Sequence, residues 1–341
     1  PANAGREVVY TYFQAFLVSV FGLSVWTLRL ASAIFGTLAI PATYVLLRVL
    51  LLRDSRPIAL YTSLALTLSL WHIHFSHYGI RVIMMPVLFS LAFGAFWLGH
   101  RASTRRRRIA AYAVSGLFIG LSVWTHPTGR LAPFVLVFYT MWLLWREPET
   151  RPSWRRLRLD SPLGGLLLTG AIAFAVFLPL GIEFYRHPEF FLGHASEVSV
   201  FAERVSGNSP VSMLAANVLH VLGMFSAAGD REWTHNLAGR PVFDPLMAVA
   251  FFVGVGIWAI RLSRGARSRA PDEPDTDALL LLAVWALVML LPSVLSEAAP
   301  NYSRTLPSLP ALFLPAGLGL AWITRLQRPR PYAGAAVTAL I

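Results

Sequence analysis

Cysteine and lysine are both missing from this 341-residue chain, and acidic residues number only 17. Without cysteine, disulfides and thiolate-held metals are excluded. Without lysine, all 29 basic residues are arginine, and they alone produce the formal charge of +12. Charge is scarce as a whole: 13% of residues are charged, against about 25% in a soluble globular domain. The alternating polar and apolar segments of a membrane β-barrel are lacking too. Pro1 is not a methionine, and the opening "PANAGREVVY" has neither the basic start nor the apolar core of a signal peptide.

What is present is apolar sequence. Hydrophobic residues make up 56% of the chain, and mean hydropathy is +0.58. Runs of roughly 16–22 apolar residues recur along its length, which predicts an all-α, polytopic helical membrane protein. Spans are expected near 26–52, 57–76, 82–99, 109–125, 130–145, 162–182, 245–263, 278–296 and 307–323, with another opening from 332, about ten transmembrane helices in all. Ser161 before Pro162, Asp244 before Pro245 and Asp277 before Ala278 read as cap or first-turn signals. Residues 8–21 and 211–225 are shorter and carry more polar groups, and are expected to lie along the membrane interface. The chain reads as one domain, 1–341, cut at both ends, with outer loops at 183–210 and 226–244.

Arginine sets the orientation. Twenty of the 29 fall in alternate connections: Arg48, Arg53 and Arg56; Arg101 with Arg105–Arg108; Arg146, Arg151, Arg155, Arg156 and Arg158; Arg261, Arg264, Arg267 and Arg269; and Arg325, Arg328 and Arg330. The positive-inside rule places these connections in the cytoplasm. A run such as Arg105–Arg108 therefore speaks for topology and not for a nucleic-acid partner.

The unusual polar chemistry then falls on the external face. The stretch "WHIHFSHYGIRVIMMP" (71–86) lies where one span exits and the next enters, and "THPTGR", "GDREWTHNLAGRPVFDP" and "SEAAPNYSRTLPSLP" join it there. Arginines at the height of the membrane surface suit a lipid with a phosphate head, because the guanidinium binds phosphate bidentately. Arg29 and Arg304 either bind such a head or snorkel to ordinary headgroups. Arg81 has no competing charge at its helix start. His74 and His77 share a helical face, where hydrogen bonding to sugar or phosphate is favoured over metal ligation, since no carboxylate accompanies them. His126 and Arg130 flank a tight Pro-Gly turn, which either aims both into the same mouth or only caps a helix. Asn301 belongs to the same outer set. The loop 183–210 is long and aromatic enough to close over a substrate. A lipid or glycolipid transporter is the alternative, but it would place ionisable groups and broken helices near the midplane.

Several stretches resemble membrane glycosyltransferases of family 39. "GREVVYTYFQAFLVSVFGLSVWTLRLASAIFG" is similar to the segment that follows their first outer loop, and "SLWHIHFSHYGIRVIMMP" to a conserved-looking outer turn. "WTHPTGRLAPF", "RHPEFFLGHASEVSVF", "HNLAGRPVFDPL" and "NYSRTLPSLPALFLPAGLGL" follow in the family's order. The group includes protein O-mannosyltransferases, the lipid A aminoarabinose transferase and RgtA/B/C/D-like enzymes. The resemblance implies the GT-C fold, an active site in the outer loops, and a polyprenyl-phosphate sugar as donor. It implies a catalytic aspartate in an outer loop preceding Pro1, with Glu7 the one acidic residue of the opening segment able to stand in. It puts Arg6 at the position of the basic residue that contacts donor phosphate, beside Arg29, Arg81 and Arg304. The metal-ligating acidic residue of one relative is Gly5 here, and its histidine partner aligns near Glu197. A divalent metal would then rest on Glu7, His194 and Glu197. The expected function is sugar transfer, hexosyl or pentosyl, to the hydroxyl of a protein, lipid or glycan acceptor, in a bacterial-type plasma membrane.

Overall fold

The computed structural model describes residues 8–147, 161–191, 198–202, 205, 209–268 and 275–326. Twelve helices organise these residues: α1 (Val9–Phe21), α2 (Val25–Leu50), α3 (Ser55–Leu68), α4 (Leu70–Tyr78), α5 (Met85–Arg101), α6 (Arg105–Val123), α7 (Ala132–Arg146), α8 (Pro162–Arg186), α9 (Pro210–Gly223), α10 (Pro245–Ser268), α11 (Thr276–Val294) and α12 (Leu314–Leu326). Short 3-10 turns lead into α5 and α7, and broken helical turns over 302–312 lead into α12. Among the described residues the only β-pairing is one isolated antiparallel bridge, Ser199 to Ser296.

Among the described residues seven spans are long and apolar enough to cross a membrane, and an eighth forms if the bent pair α3–α4 counts as one, where nine are expected from the sequence. The stretch at 57–76 breaks at Ser69, whose extended backbone ends α3 and whose hydroxyl accepts from His72 N, so α4 leaves at 59°. The stretch at 109–125 forms α6, but its first turn is four arginines, which leaves only residues 109–123 as an apolar body. The expected span from 332 lies outside the described residues. The two interfacial helices appear as α1 and α9, each one-sided. In α1, Tyr12, Phe16 and Val20 are exposed while Tyr10 and Leu17 are buried.

The helices divide into a centre and a periphery. Buried residues account for 78% of the apolar stretch in Arg81–Arg101 and 83% in Tyr302–Leu326, against 17% in α8 and 22% in α10. The outer helices therefore present apolar side chains to lipid. Between α10 and α12 the backbones touch, since a Cβ at Gly254 or Gly319 would run into the carbonyls of Pro315 and Ala250. Close approach over small residues is how helices associate where lipid removes the usual hydrophobic drive.

All described arginine-rich connections gather at one end. There, Asp275 is buried, and its carboxylate accepts from Leu52 N at 2.6 Å and Arg53 N at 3.2 Å, joining the α2–α3 turn to the start of α11. Asp277 takes Trp142 Nε1–H at 2.9 Å and Arg146 at 3.4 Å. It therefore pins α7 to α11 from the first turn of α11, as the first-turn reading expected. Arg325 pairs with Asp54, and His100 lies 3.6 Å from Glu147, whose carboxyl it holds below the ordinary range. Ser161 and Asp244 do cap α8 and α10, accepting from Gly164 N and from Leu246 N and Met247 N.

Two predictions follow from this polarity and its pins. A single cysteine at Ser103, on the arginine-rich end, should resist an impermeant thiol reagent in intact cells, whereas one at Leu237 should react; the reverse pattern would overturn the orientation. Asp275→Ala leaves two backbone donors without their acceptor and should cost about 1–3 kcal/mol, read as a fall in thermal midpoint of the purified protein.

Candidate functional site

Opposite the arginine-rich end, one loop (229–240) organises the surface, and one carboxylate organises the loop. Asp230 is buried. Its Oδ1 accepts from Glu232 N at 2.8 Å, and its Oδ2 accepts from Tyr302 N at 2.7 Å and from His235 Nδ1–H at 3.1 Å. Its carbonyl takes Gly239 N at 2.8 Å and Asn236 Nδ2 at 3.1 Å. Tyr302 replies through its hydroxyl, which donates to Arg240 O at 3.1 Å. Because the Tyr302 ring also packs at a tilt of 34° against Trp71, with ring centroids 4.7 Å apart, the loop is tied through one residue to α4 and to the central span. A buried carboxylate is tolerable only when its oxygens are satisfied, and here donors from three residues satisfy them.

The loop separates two cavities. The larger, about 780 Å³, lies between the loop, α9 and the turn 297–304, and its polar walls include His220, Asp230, Glu232, His235, Glu297, Asn301 and Arg304. His235 donates its Nδ1–H to Asp230, so in the neutral ring Nε2 is a lone-pair acceptor. Asn301 accepts from Arg304 N at 3.0 Å and fixes the start of the turn that carries Arg304. The rim is held by Asn217, whose Nδ2 donates to Val294 O at 2.9 Å and Ser296 O at 2.8 Å. Part of the loop 183–210 meets this rim: Val200 N donates to Leu295 O, and Glu297 N to Val198 O. Residues 183–186 of that expected loop are instead the last turn of α8.

On the other side of the loop lies a cavity of about 370 Å³ walled by Arg29, His74, His77, Tyr78 and Asn236. His74 Nε2–H donates to Thr234 O at 2.9 Å and His77 Nδ1–H to Ile73 O at 2.8 Å, so each ring has a defined tautomer. Gly79, at φ +85°, turns the chain at the end of α4, close over the Arg29 stem. The neighbouring His72 is buried and donates Nε2–H to Gly36 O at 3.1 Å; it packs α4 on α2.

The residues singled out from sequence are thus distributed over more than one place. Arg29, His74 and His77 share the smaller cavity, and Asn301 and Arg304 share the larger one. Arg81 opens the 3-10 turn before α5 and is in the wall of neither. His126 caps the turn Pro127–Leu131, accepting from Thr128 N. Arg130 lies in a separate apolar groove. Arg6, Glu7, His194 and Glu197 fall outside the described residues. Among the described residues no group of three or more His, Asp or Glu is placed to hold a metal. Asp230, His235, Glu297, His220 and Asn217 were not singled out from sequence. The polar strings "GDREWTHN" and "SEAAPNYSR" were the available signals for Asp230, His235 and Glu297, and nothing local marks His220 or Asn217.

This arrangement, apolar spans with polar cavities gathered at one end, is that of a polytopic helical membrane protein. Residues 4–188 match the dolichyl-phosphate-mannose-protein mannosyltransferase family. The chain belongs to that family. No curated protein sequence matches significantly. Solved structures share the fold at low identity. ArnT from Cupriavidus metallidurans in its apo state superposes with a TM-score of 0.53 at 19% identity, covering 96% of this chain and 50% of ArnT. The same protein bound to undecaprenyl phosphate gives 0.57 at 19%, covering 99% and 54%. The oligosaccharyltransferase AglB from Archaeoglobus fulgidus, in complex with an inhibitory peptide and a dolichol-phosphate, gives 0.54 at 16%, covering 99% and 44%. The chain therefore spans about half the length of these structures.

Asp230→Ala should destabilise the outer face more than any neighbouring exposed change, since a hydrogen bond to a charged group is worth about 1.5–3 kcal/mol and three donors lose their carboxylate. Asp230→Asn, which keeps one acceptor oxygen, should lose less, and Trp233→Ala should lose little. Thermal unfolding of the three variants checks the order.

Proposed function

We propose that this chain forms the membrane part of an enzyme that transfers a sugar from a polyprenyl-phosphate donor to an acceptor hydroxyl at the outer face of a bacterial-type plasma membrane. The observation that carries the reading is the 780 Å³ cavity at the arginine-poor end, with Arg304 and Asn301 in its wall. Membership of a lipid-linked mannosyltransferase family supports it. So do the undecaprenyl phosphate held by ArnT and the dolichol-phosphate held by AglB.

In the proposed reaction the acceptor oxygen bonds to the anomeric carbon, and the bond from that carbon to the phosphate oxygen breaks. The hydroxyl proton passes to a carboxylate, and the polyprenyl phosphate departs with the bonding pair. Charge grows on the departing phosphate, and a fixed guanidinium offsets it. Arg304 is the residue proposed for this role in the larger cavity, with Arg29 in the smaller one and Arg6 and Arg81 as further cations. Glu7 remains the candidate base of the opening segment. A divalent ion at Glu7, His194 and Glu197 is the corresponding metal proposal.

In membranes containing the full-length protein and a polyprenyl-phosphate sugar, Arg304→Gln should lower transfer about ten- to hundredfold, the equivalent of a charged hydrogen bond of about 1.5–3 kcal/mol. Expression and labelling topology should not change. Undiminished turnover by this variant would remove Arg304 from the mechanism, and absence of any donor consumption by the wild type would overturn the reading itself.

A further inference from the structure

Between described residues, three imidazoles lie beside carboxylates, and the carboxylates are placed very differently. Glu147, beside His100, has a side chain 35% exposed, and Glu183 and Glu189, beside His187, are 38% and 64% exposed. Asp230, beside His235, is 6% exposed. Of the three, only His235 has a buried carboxylate behind it and a cavity in front of it, the chamber of about 780 Å³.

The loop does not need that ring in order to close. Tyr302 N and Glu232 N already tie the Asp230 carboxylate, and Gly239 N and Asn236 Nδ2 tie its carbonyl. What the bond from His235 fixes is the ring itself. Nδ1–H donates to Asp230 Oδ2 at 3.1 Å, and one ring face lies on Phe75, with centroids 5.7 Å and planes 26° apart. Held at one nitrogen and across one face, the neutral imidazole keeps a single tautomer, with its lone pair on Nε2. Nε2 has no hydrogen-bond partner among the described residues and is open to the chamber. An imidazole oriented by a carboxylate behind it is suited to take a proton from a hydroxyl, because the carboxylate stabilises the imidazolium that forms. Arg304 lines the same chamber, so a phosphate-binding group and a proton-accepting group share one space.

We propose that His235 Nε2 is the proton acceptor for the hydroxyl that receives the sugar, with Asp230 as its positioning residue. This rests on the sugar-transfer reading above and assigns the proton to the described chamber in place of Glu7. As the acceptor oxygen bonds to the anomeric carbon, the bond from that carbon to the phosphate oxygen breaks and the hydroxyl proton moves to Nε2. The polyprenyl phosphate leaves with the bonding pair, and the imidazolium then returns its proton to solvent. A ring protonated beforehand cannot accept, so transfer should fall on the acid side of the range of about pH 5–8 in which imidazole changes charge. The other ionisable groups around the ring are Arg231 and Glu232 of the loop, His74 of α4, His220 of α9, and Glu297 and Arg304 of the turn. Of these, His74 and His220 are the other imidazoles.

The test uses membranes carrying the full-length protein, offered radiolabelled undecaprenyl-phosphate mannose, glucose, galactose and arabinose in turn. Label entering the endogenous acceptors is followed against pH for whichever sugar the wild type transfers. His235→Asn sets an amide nitrogen where Nδ1 was, so it keeps the donor to Asp230 and removes Nε2. It should melt close to the wild type, gain the same thermal shift from undecaprenyl phosphate, and lose the acid limb. Its kcat should fall about a hundredfold or more, with little change in KM for the donor. His235→Gln, which sets an amide at the Nε2 position, should be equally slow, and it serves if the asparagine variant does not fold. His74→Gln and His220→Gln should keep the acid limb. Wild-type kcat and an intact acid limb in His235→Asn would leave the ring a tie for the loop and overturn the proposal. So would an acid limb lost in His220→Gln but kept in His235→Asn. Transfer of none of the four sugars by the wild type would overturn the sugar-transfer reading and this inference with it.

Discussion

Hydrocarbon offers no hydrogen bonds, and the polar groups of this protein are arranged around that constraint. Backbone donors and acceptors are consumed inside helices, and charged side chains are sent to the two ends. At the arginine-rich end the pins are carboxylates set against backbone N–H groups and arginines: Asp275 on the α2–α3 turn, Asp277 on Trp142 and Arg146, Asp54 on Arg325. At the other end, Asp230 is the corresponding pin. Without its oxygens, Tyr302 N would be a buried donor with no acceptor.

That second pin has a functional consequence. By fixing the loop 229–240 between α4 and the 297–304 turn, Asp230 divides the outer face into two chambers of different character. One has no carboxylate in its wall, which holds Arg29, His74, His77 and Tyr78. The other mixes Arg304 with Asp230, Glu232 and Glu297. The proposed sugar transfer, which must hold a phosphate, admit a hydroxyl and dispose of a proton, would use both kinds of environment near one another. The rim contact between 198–200 and 295–297 puts those three residues beside the mixed chamber.

Rigid support for these chambers comes from the most buried helices. The 302–326 span carries Tyr302 and Arg304 at its outer end and packs along α10 through backbone-to-backbone contact at Gly254 and Gly319. The peripheral helices α8 and α10 are mostly exposed to lipid, so substitutions on their outer faces are expected to be tolerated if they remain apolar.

By itself the sequence determined the solvent, the helices and the polarity. Spans such as 26–52 and 162–182 were legible because about twenty apolar residues in a row have only one economical conformation in lipid. Arginine placement was legible because charge crosses a membrane reluctantly. The caps at Ser161 and Asp244 are local chemistry, within three residues of their partners. The tertiary structure alone decided where side chains meet. Asp275 lies 223 positions from Leu52, and Asp230 lies 72 from Tyr302; no local pattern encodes such pairs. For the same reason Arg29 and Arg304 fall on opposite sides of one loop, Arg130 lies against Phe184 and Phe191 in a separate groove, and His126 is spent on a cap. Residue type announces which chemistry is available at a membrane face, and only the packing of distant helices settles which groups share a cavity.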